Sequence, residues 1–145
     1  MSRARYDKIL LSGRSGIFAA PALAGPLRHA ARCTGIEWRD LDLAGVRDRE
    51  AFFGRVERTL DLPDYFGRNW DAFRECLLDL AATGTPGLVA HWRRGAELAR
   101  RDPDTVRTAL EILQETATWW GSSGRVFILA VERGSARGID LPPLR

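Results

Sequence analysis

The chain has 145 residues, of which 45% are hydrophobic and 28% charged, and its 22 basic against 19 acidic side chains leave a net charge of +3. That composition suits one globular domain with a substantial core; no apolar run approaches the roughly 20 residues that span a bilayer, and the N-terminus lacks a signal-peptide pattern, so a cytoplasmic protein is expected. Two histidines and two cysteines exclude a His-rich metal site and a disulfide framework, and Cys33 and Cys76 read as small buried residues.

In residues 1–35, Ile9-Leu10-Leu11 and Ile17-Phe18-Ala19 read as two short strands around the turn-forming Ser12-Gly13-Arg14-Ser15-Gly16. Pro26 to Cys33 reads as a short helix, with Pro26 near its first turn and Gly35 placed to end it. Ile36 to Leu43 predicts a strand with broken alternation: Ile36 and Trp38 fall on one face and Leu41 and Leu43 on the other, which requires a bulge or burial on both faces. Asp48 is placed to cap the next helix, where Phe52, Phe53, Val56 and Leu60 follow the helical period. Gly54 within it costs about 1 kcal/mol relative to alanine unless a neighbour packs against its bare backbone.

Leu62 to Leu80 is the most informative stretch. Pro63 and Gly67 mark a tight connection, Asn69 is a good N-cap, and Trp70, Phe73, Leu77 and Leu80 recur at helical spacing, with Cys76 on the same apolar side. The other face carries Asp71, Glu75 and Asp79 in i,i+4 succession, and like charges at that spacing destabilise a helix by roughly 0.2–0.5 kcal/mol per pair. The helix dipole offsets Asp71 but does nothing for Glu75 and Asp79. A choice that opposes local stability is a candidate for function, set against a solvated face on which Arg68 and Arg74 neutralise the acids.

Thr-Gly-Thr-Pro-Gly breaks the chain before Gly87, and Leu88 to Trp92 reads as an apolar strand in which His91 is a satisfied core or edge residue. Arg93 to Arg101 is a polar connection that holds a helical turn. Asp102-Pro103 starts a long helix, with Val106, Ala109, Leu110, Leu113, Ala117 and Trp120 on one face up to Gly121. Val126 to Val131 predicts a strand covered on both sides, and the tail from Arg133 reads as loose. Strands alternating with helices predict an α/β fold on a small parallel sheet.

The run Leu-Pro-Asp-Tyr-Phe-Gly-Arg-Asn-Trp-Asp-Ala-Phe-Arg-Glu-Cys-Leu, beginning at Leu62, resembles the hallmark segment of the barstar family, matching in kind over about sixteen consecutive positions. The resemblance implies a sheet of about three parallel strands packed with helices. Residues 36–132 would form the barstar-like domain, residues 1–35 a strand and helix extension packed on it, and residues 133–145 a tail. It also implies an intracellular inhibitor, without cofactor or metal, that blocks the basic active-site cleft of a guanyl-specific ribonuclease with an acidic helix mimicking RNA phosphate. Carried over position by position, Tyr65, Asn69, Trp70, Asp71, Arg74, Glu75, Leu78 and Asp79 fall on the inhibitory face. Glu75 is the principal phosphate-mimicking acid, Asp71 the second, and Glu115 a further acid from the long helix. Compared with the family's best-known member, Glu75 replaces an aspartate, Arg74 and Leu80 replace tryptophans, Arg68 replaces an acid and Asp79 a glycine.

Other classes fit less of the sequence. An enzyme would use Asp71, Glu75 or Asp79 as acid–base pair or metal ligands, but no nucleophile elbow, phosphate loop or zinc spacing accompanies them. Nucleic-acid binding would rest on Arg93, Arg94, Arg100, Arg101 and Arg107, which Glu97, Asp102 and Asp104 interrupt. The remaining alternative is immunity against another secreted toxin nuclease through the same acidic helix. The expected partner is a protein rather than RNA, DNA or a membrane, and the chain is expected to be a monomer.

Overall fold

The computed structural model describes residues 3–63, 66–136 and 138–145. In chain order the elements are α1 (Arg3–Leu11), β1 (Gly16–Ala19), α2 (Gly25–Thr34), β2 (Glu37–Asp42), α3 (Arg49–Thr59), α4 (Trp70–Ala81), β3 (Gly87–Arg93), α5 (Ala96–Arg101), α6 (Pro103–Ser122) and β4 (Val126–Val131). The four strands form one parallel sheet in the order β1-β4-β3-β2.

Period-two alternation along each strand divides the core into two layers. Phe127, Leu129 and Val131 of β4, with Leu88, Ala90 and Trp92 of β3, pack with α3, α4 and α6. Val126, Ile128 and Ala130, with Val89, pack with α1 and α2. The same rule resolves the irregular pattern of β2. Ile36 and Trp38 face the α1–α2 layer and Leu41 and Leu43 the other, with an unbroken register from Glu37↔Leu88 to Asp42↔Arg93. Burial on two sides, without a bulge, accounts for its sequence.

Two expectations for the chain ends change. Ile9, Leu10 and Leu11 belong to helix α1 rather than a strand, because Tyr6, Ile9 and Leu10 stand at i, i+3 and i+4 and are buried against Leu27, Ala30 and Ala31 of α2, while Leu11 is exposed. The strand expected at Ile17-Phe18-Ala19 forms as β1 and joins the sheet as the fourth strand, supplied by the N-terminal extension: it pairs with β4 from Gly16↔Ile128 to Ala19↔Val131, so β4 is hydrogen-bonded on both sides. The tail is anchored rather than loose. The Ala19 N–H donates to Pro142 O at 2.8 Å, the Trp92 indole N–H donates to Ser135 O at 3.2 Å, and Leu144 is buried. Cys33 is exposed, contrary to its reading as a buried residue, and only Cys76 lies in the core; both are free thiols.

The helix starts follow the caps in the sequence. Asp48 accepts from the Ala51 N–H at the head of α3, and Asp102 from the Thr105 N–H at the head of α6. Gly35 ends α2 at φ 75°, a left-handed conformation that suits glycine. His91 is 8% exposed on β3, beside its register partner Asp40, whose Oδ1 lies 3.5 Å from Nδ1. Burial holds the imidazole below its usual value of 6.5, against the opposing pull of Asp40.

Candidate functional site

Helix α4 is fixed at its start, along its length and from beneath. Leu62 and Phe66 are buried on either side of the connection, and the Phe66 N–H donates to Pro63 O at 2.9 Å. Asn69, extended at φ −136°, accepts from the Ala72 N–H at 2.8 Å and so caps α4. Trp70 packs its ring 4.7 Å from that of Phe53 and 5.9 Å from that of Phe73, with Phe52 adjoining. Further along, the buried Trp120 of α6 donates its indole N–H to Leu77 O at 3.1 Å. A helix held this way presents its outer side chains on a stiff backbone.

Those outer side chains are the acids singled out in the sequence. Asp71, Glu75 and Asp79 are all exposed, Asp71 with 95% of its side chain in solvent, and Leu78 lies half-buried beside them. The inner side is apolar. Burial, with the charges of Asp79 and Glu75, pushes the Cys76 thiol above its usual range, so it stays protonated behind the face.

Glu115 comes to this surface from α6, and Arg74 joins the two helices. Arg74 Nε donates to Glu115 Oε2 at 3.1 Å, and its Nη1 lies 3.6 Å from Asp71 Oδ1. Arg74 therefore sits between Asp71 and Glu115 as an internal counter-ion, with 43% of its side chain exposed. Arg68 is not part of this arrangement: its guanidinium turns back to Glu57 of α3 at 3.5 Å. Glu75 has no ion-pair partner among the described residues.

The expected site residues thus divide by position. Asp71, Arg74, Glu75, Leu78, Asp79 and Glu115 share one surface across α4 and α6. Asn69 uses its side-chain oxygen on the cap, and Trp70 places most of its ring in the aromatic cluster. Tyr65 lies outside the described residues. An open groove of about 470 Å³ runs beside Trp70, between the starts of α3 and α6, and Asp48, Glu50, Asp102 and Asp104 make its walls acidic. Trp119, which no pattern in the sequence singles out, stands exposed four residues after Glu115. No group of His, Cys, Asp and Glu among the described residues is arranged to hold a metal ion, and no helix among them is long and apolar enough to cross a membrane.

A family model described as Barstar (barnase inhibitor) matches residues 36–132, which is more than half of the chain and takes in β2 through β4 with the acidic helix. The chain belongs to the barstar family. The match begins just before β2, so α1, β1 and α2 lie outside the part shared with the family model, and the fourth strand of the sheet comes from that added segment. A search of curated proteins found no match. For a barstar-family chain the exposed acids of α4 lie within the matched region, as does Glu115.

Proposed function

We propose that this protein inhibits a guanyl-specific ribonuclease inside the cell by seating α4 in the enzyme's active-site cleft, where Glu75 and Asp71 occupy the positions of RNA phosphates. The observation that carries this reading is a set of solvent-facing carboxylates on a capped, core-packed helix within the barstar-family region. A ribonuclease cleft built of Arg, Lys and His binds phosphate through charge-assisted hydrogen bonds, and a carboxylate offers acceptor oxygens of the same charge sign. Glu75 is the residue best placed to give both oxygens to the enzyme, since no cation of its own chain holds it among the described residues. Rigidity matters because a pre-ordered helix loses little conformational freedom on docking. The opposite charges of face and cleft also accelerate encounter. The protein performs no reaction in this account; it excludes substrate.

A second reading keeps the face and changes the target. Arg74, lying across Asp71 and Glu115, makes the surface a patterned one rather than a uniform patch of negative charge. That pattern suits a partner with its own acid facing Arg74, so the same face would serve immunity against a toxin nuclease of another class. Competition kinetics test the lead reading. Added to a barnase-type ribonuclease cleaving a fluorogenic RNA, the protein should inhibit stoichiometrically, and raising substrate should raise the apparent inhibition constant. Inhibition indifferent to substrate concentration would place the contact away from the cleft, and none at micromolar protein would turn the reading to another toxin.

A further inference from the structure

Trp119 is 45% exposed near the end of α6, although Thr116, Ala117 and Trp120 around it are buried. At 3.6 residues per turn it lies one turn beyond Glu115 and about 40° around the helix from it, on the flank that faces α4. The two helices run in the same direction. Trp70 shares its groove with Thr105 and Thr108, Arg74 reaches Glu115, and Leu77 O receives the Trp120 indole N–H. One turn past Arg74 and Glu115 in the two parallel helices come Leu78 on α4 and Trp119 on α6. The exposed acids Glu75 and Asp79 on α4 and Glu115 on α6 each lie within about one helical turn of one of these two residues.

We propose that Trp119 is the aromatic anchor of the partner interface and receives an arginine side chain from the basic nuclease. The inference rests on the inhibitory reading of α4 and adds to it a contact from a different helix. A guanidinium laid on the indole face meets the ring's negative face and has the Glu115 carboxylate one turn away, so stacking and ion pairing act on the same group. Tryptophan and arginine are the side chains most enriched among interface hot spots, and a surrounding rim of polar groups is what keeps water from such a contact. Charge selects the occupant. An anionic membrane, a nucleic acid or the same acidic face of a second copy would meet these carboxylates with like charge, whereas a basic protein surface is attracted to them.

The test is dissociation of a barnase-type ribonuclease from the wild-type protein and from Trp119→Ala, Trp119→Phe and Glu75→Gln. Trp119→Ala should dissociate about tenfold faster or more, with association rate and its salt dependence preserved, and Trp119→Phe should recover part of the loss. Glu75→Gln, in contrast, should weaken the salt dependence. Subtracting the emission of Trp119→Phe isolates the Trp119 signal, which should move to shorter wavelength in the complex; because this readout uses an exposed, conservative substitution, it does not depend on how Trp119→Ala folds. Wild-type inhibition with Trp119→Ala unchanged within about twofold, or an emission signal that does not shift, overturns the anchor and leaves the inhibitory reading standing. Failure of the wild-type protein to bind overturns both.

Discussion

Replacing Arg74 with glutamine should tighten binding to a basic partner while loosening the fold. In the free protein the guanidinium lies 3.1 Å from Glu115 Oε2 and 3.6 Å from Asp71 Oδ1, both pairs largely open to solvent, with the Asp71 and Glu115 side chains 95% and 59% exposed. Exposed pairs of this kind contribute about 0.2–1 kcal/mol each, so the two together hold roughly 0.4–2 kcal/mol. A partner cation that recruits Asp71 and Glu115 must first compete with Arg74 for that amount. Arg74→Gln removes the competition, and affinity should rise by roughly 2- to 30-fold at low salt. Unfolding free energy should fall by no more than the same amount. Urea denaturation measures the stability change, and stopped-flow association with a barnase-type ribonuclease at several salt concentrations measures the binding change, with most of the gain expected below about 0.1 M salt. Binding weakened tenfold would refute the counter-ion account and make Arg74 a direct contact to an acid of the partner.

Two glycines should respond in opposite directions to alanine. A Cβ at Gly54, inside α3, meets nothing within 4 Å, so Gly54→Ala should stabilise the protein by about 0.5–1 kcal/mol, read as a rise in urea midpoint. At Gly95 a Cβ would stand 2.7 Å from Trp92 Nε1 and 2.9 Å from Ser135 O, so Gly95→Ala should lower the midpoint by displacing the anchored tail. His91 gives a pH signature. Its folded value lies below 6.5 because burial disfavours the imidazolium, so between that value and 6.5 the unfolded chain binds the additional proton. Stability is therefore lost as pH falls through 6.5, and urea midpoints at pH 7.5, 6.5 and 5.5 should decrease in that order. His91→Gln should remove most of that trend, and a midpoint that rises toward pH 5.5 would contradict the burial of a neutral imidazole.

Elements with a sustained helical period are legible in the sequence itself. Asp48, Asn69 and Asp102 announce three helices, and the apolar residues behind each cap keep the helical spacing through the whole element. Shorter stretches are not legible in the same way. Three consecutive apolar residues, Ile9 to Leu11, fit a strand until Tyr6 and the α2 residues beneath it are known to share their face. The place of β1 in the sheet depends on β4, more than a hundred residues away in the chain, and no local pattern carries that information. Nor does the tail's own composition reveal that the Ser135 carbonyl accepts from an indole of β3.

The candidate site is legible along one helix and opaque between helices. The i,i+4 acids on α4 stand in solvent as their spacing requires, and Asn69 caps as its position predicts. Arg74 can be paired with a neighbouring acid from sequence, but its reach to Glu115 depends on how α4 and α6 pack. Trp119 falls just outside the apolar stripe of α6, and only the position of that helix beside α4 gives its exposure a meaning.

The central claim is that the carboxylates of α4 bind the partner, and the isosteric double substitution Asp71→Asn/Glu75→Gln tests it most directly. Both side chains keep their shape, and neither is buried, so the melting profile should remain close to that of the wild-type protein. Each charged hydrogen bond lost to the partner contributes about 1.5–3 kcal/mol, so the inhibition constant against a barnase-type ribonuclease should rise by roughly two to four orders of magnitude. Inhibition by the double variant equal to that of the wild-type protein would contradict the account, because the phosphate-mimicking charge would then lie elsewhere on the molecule.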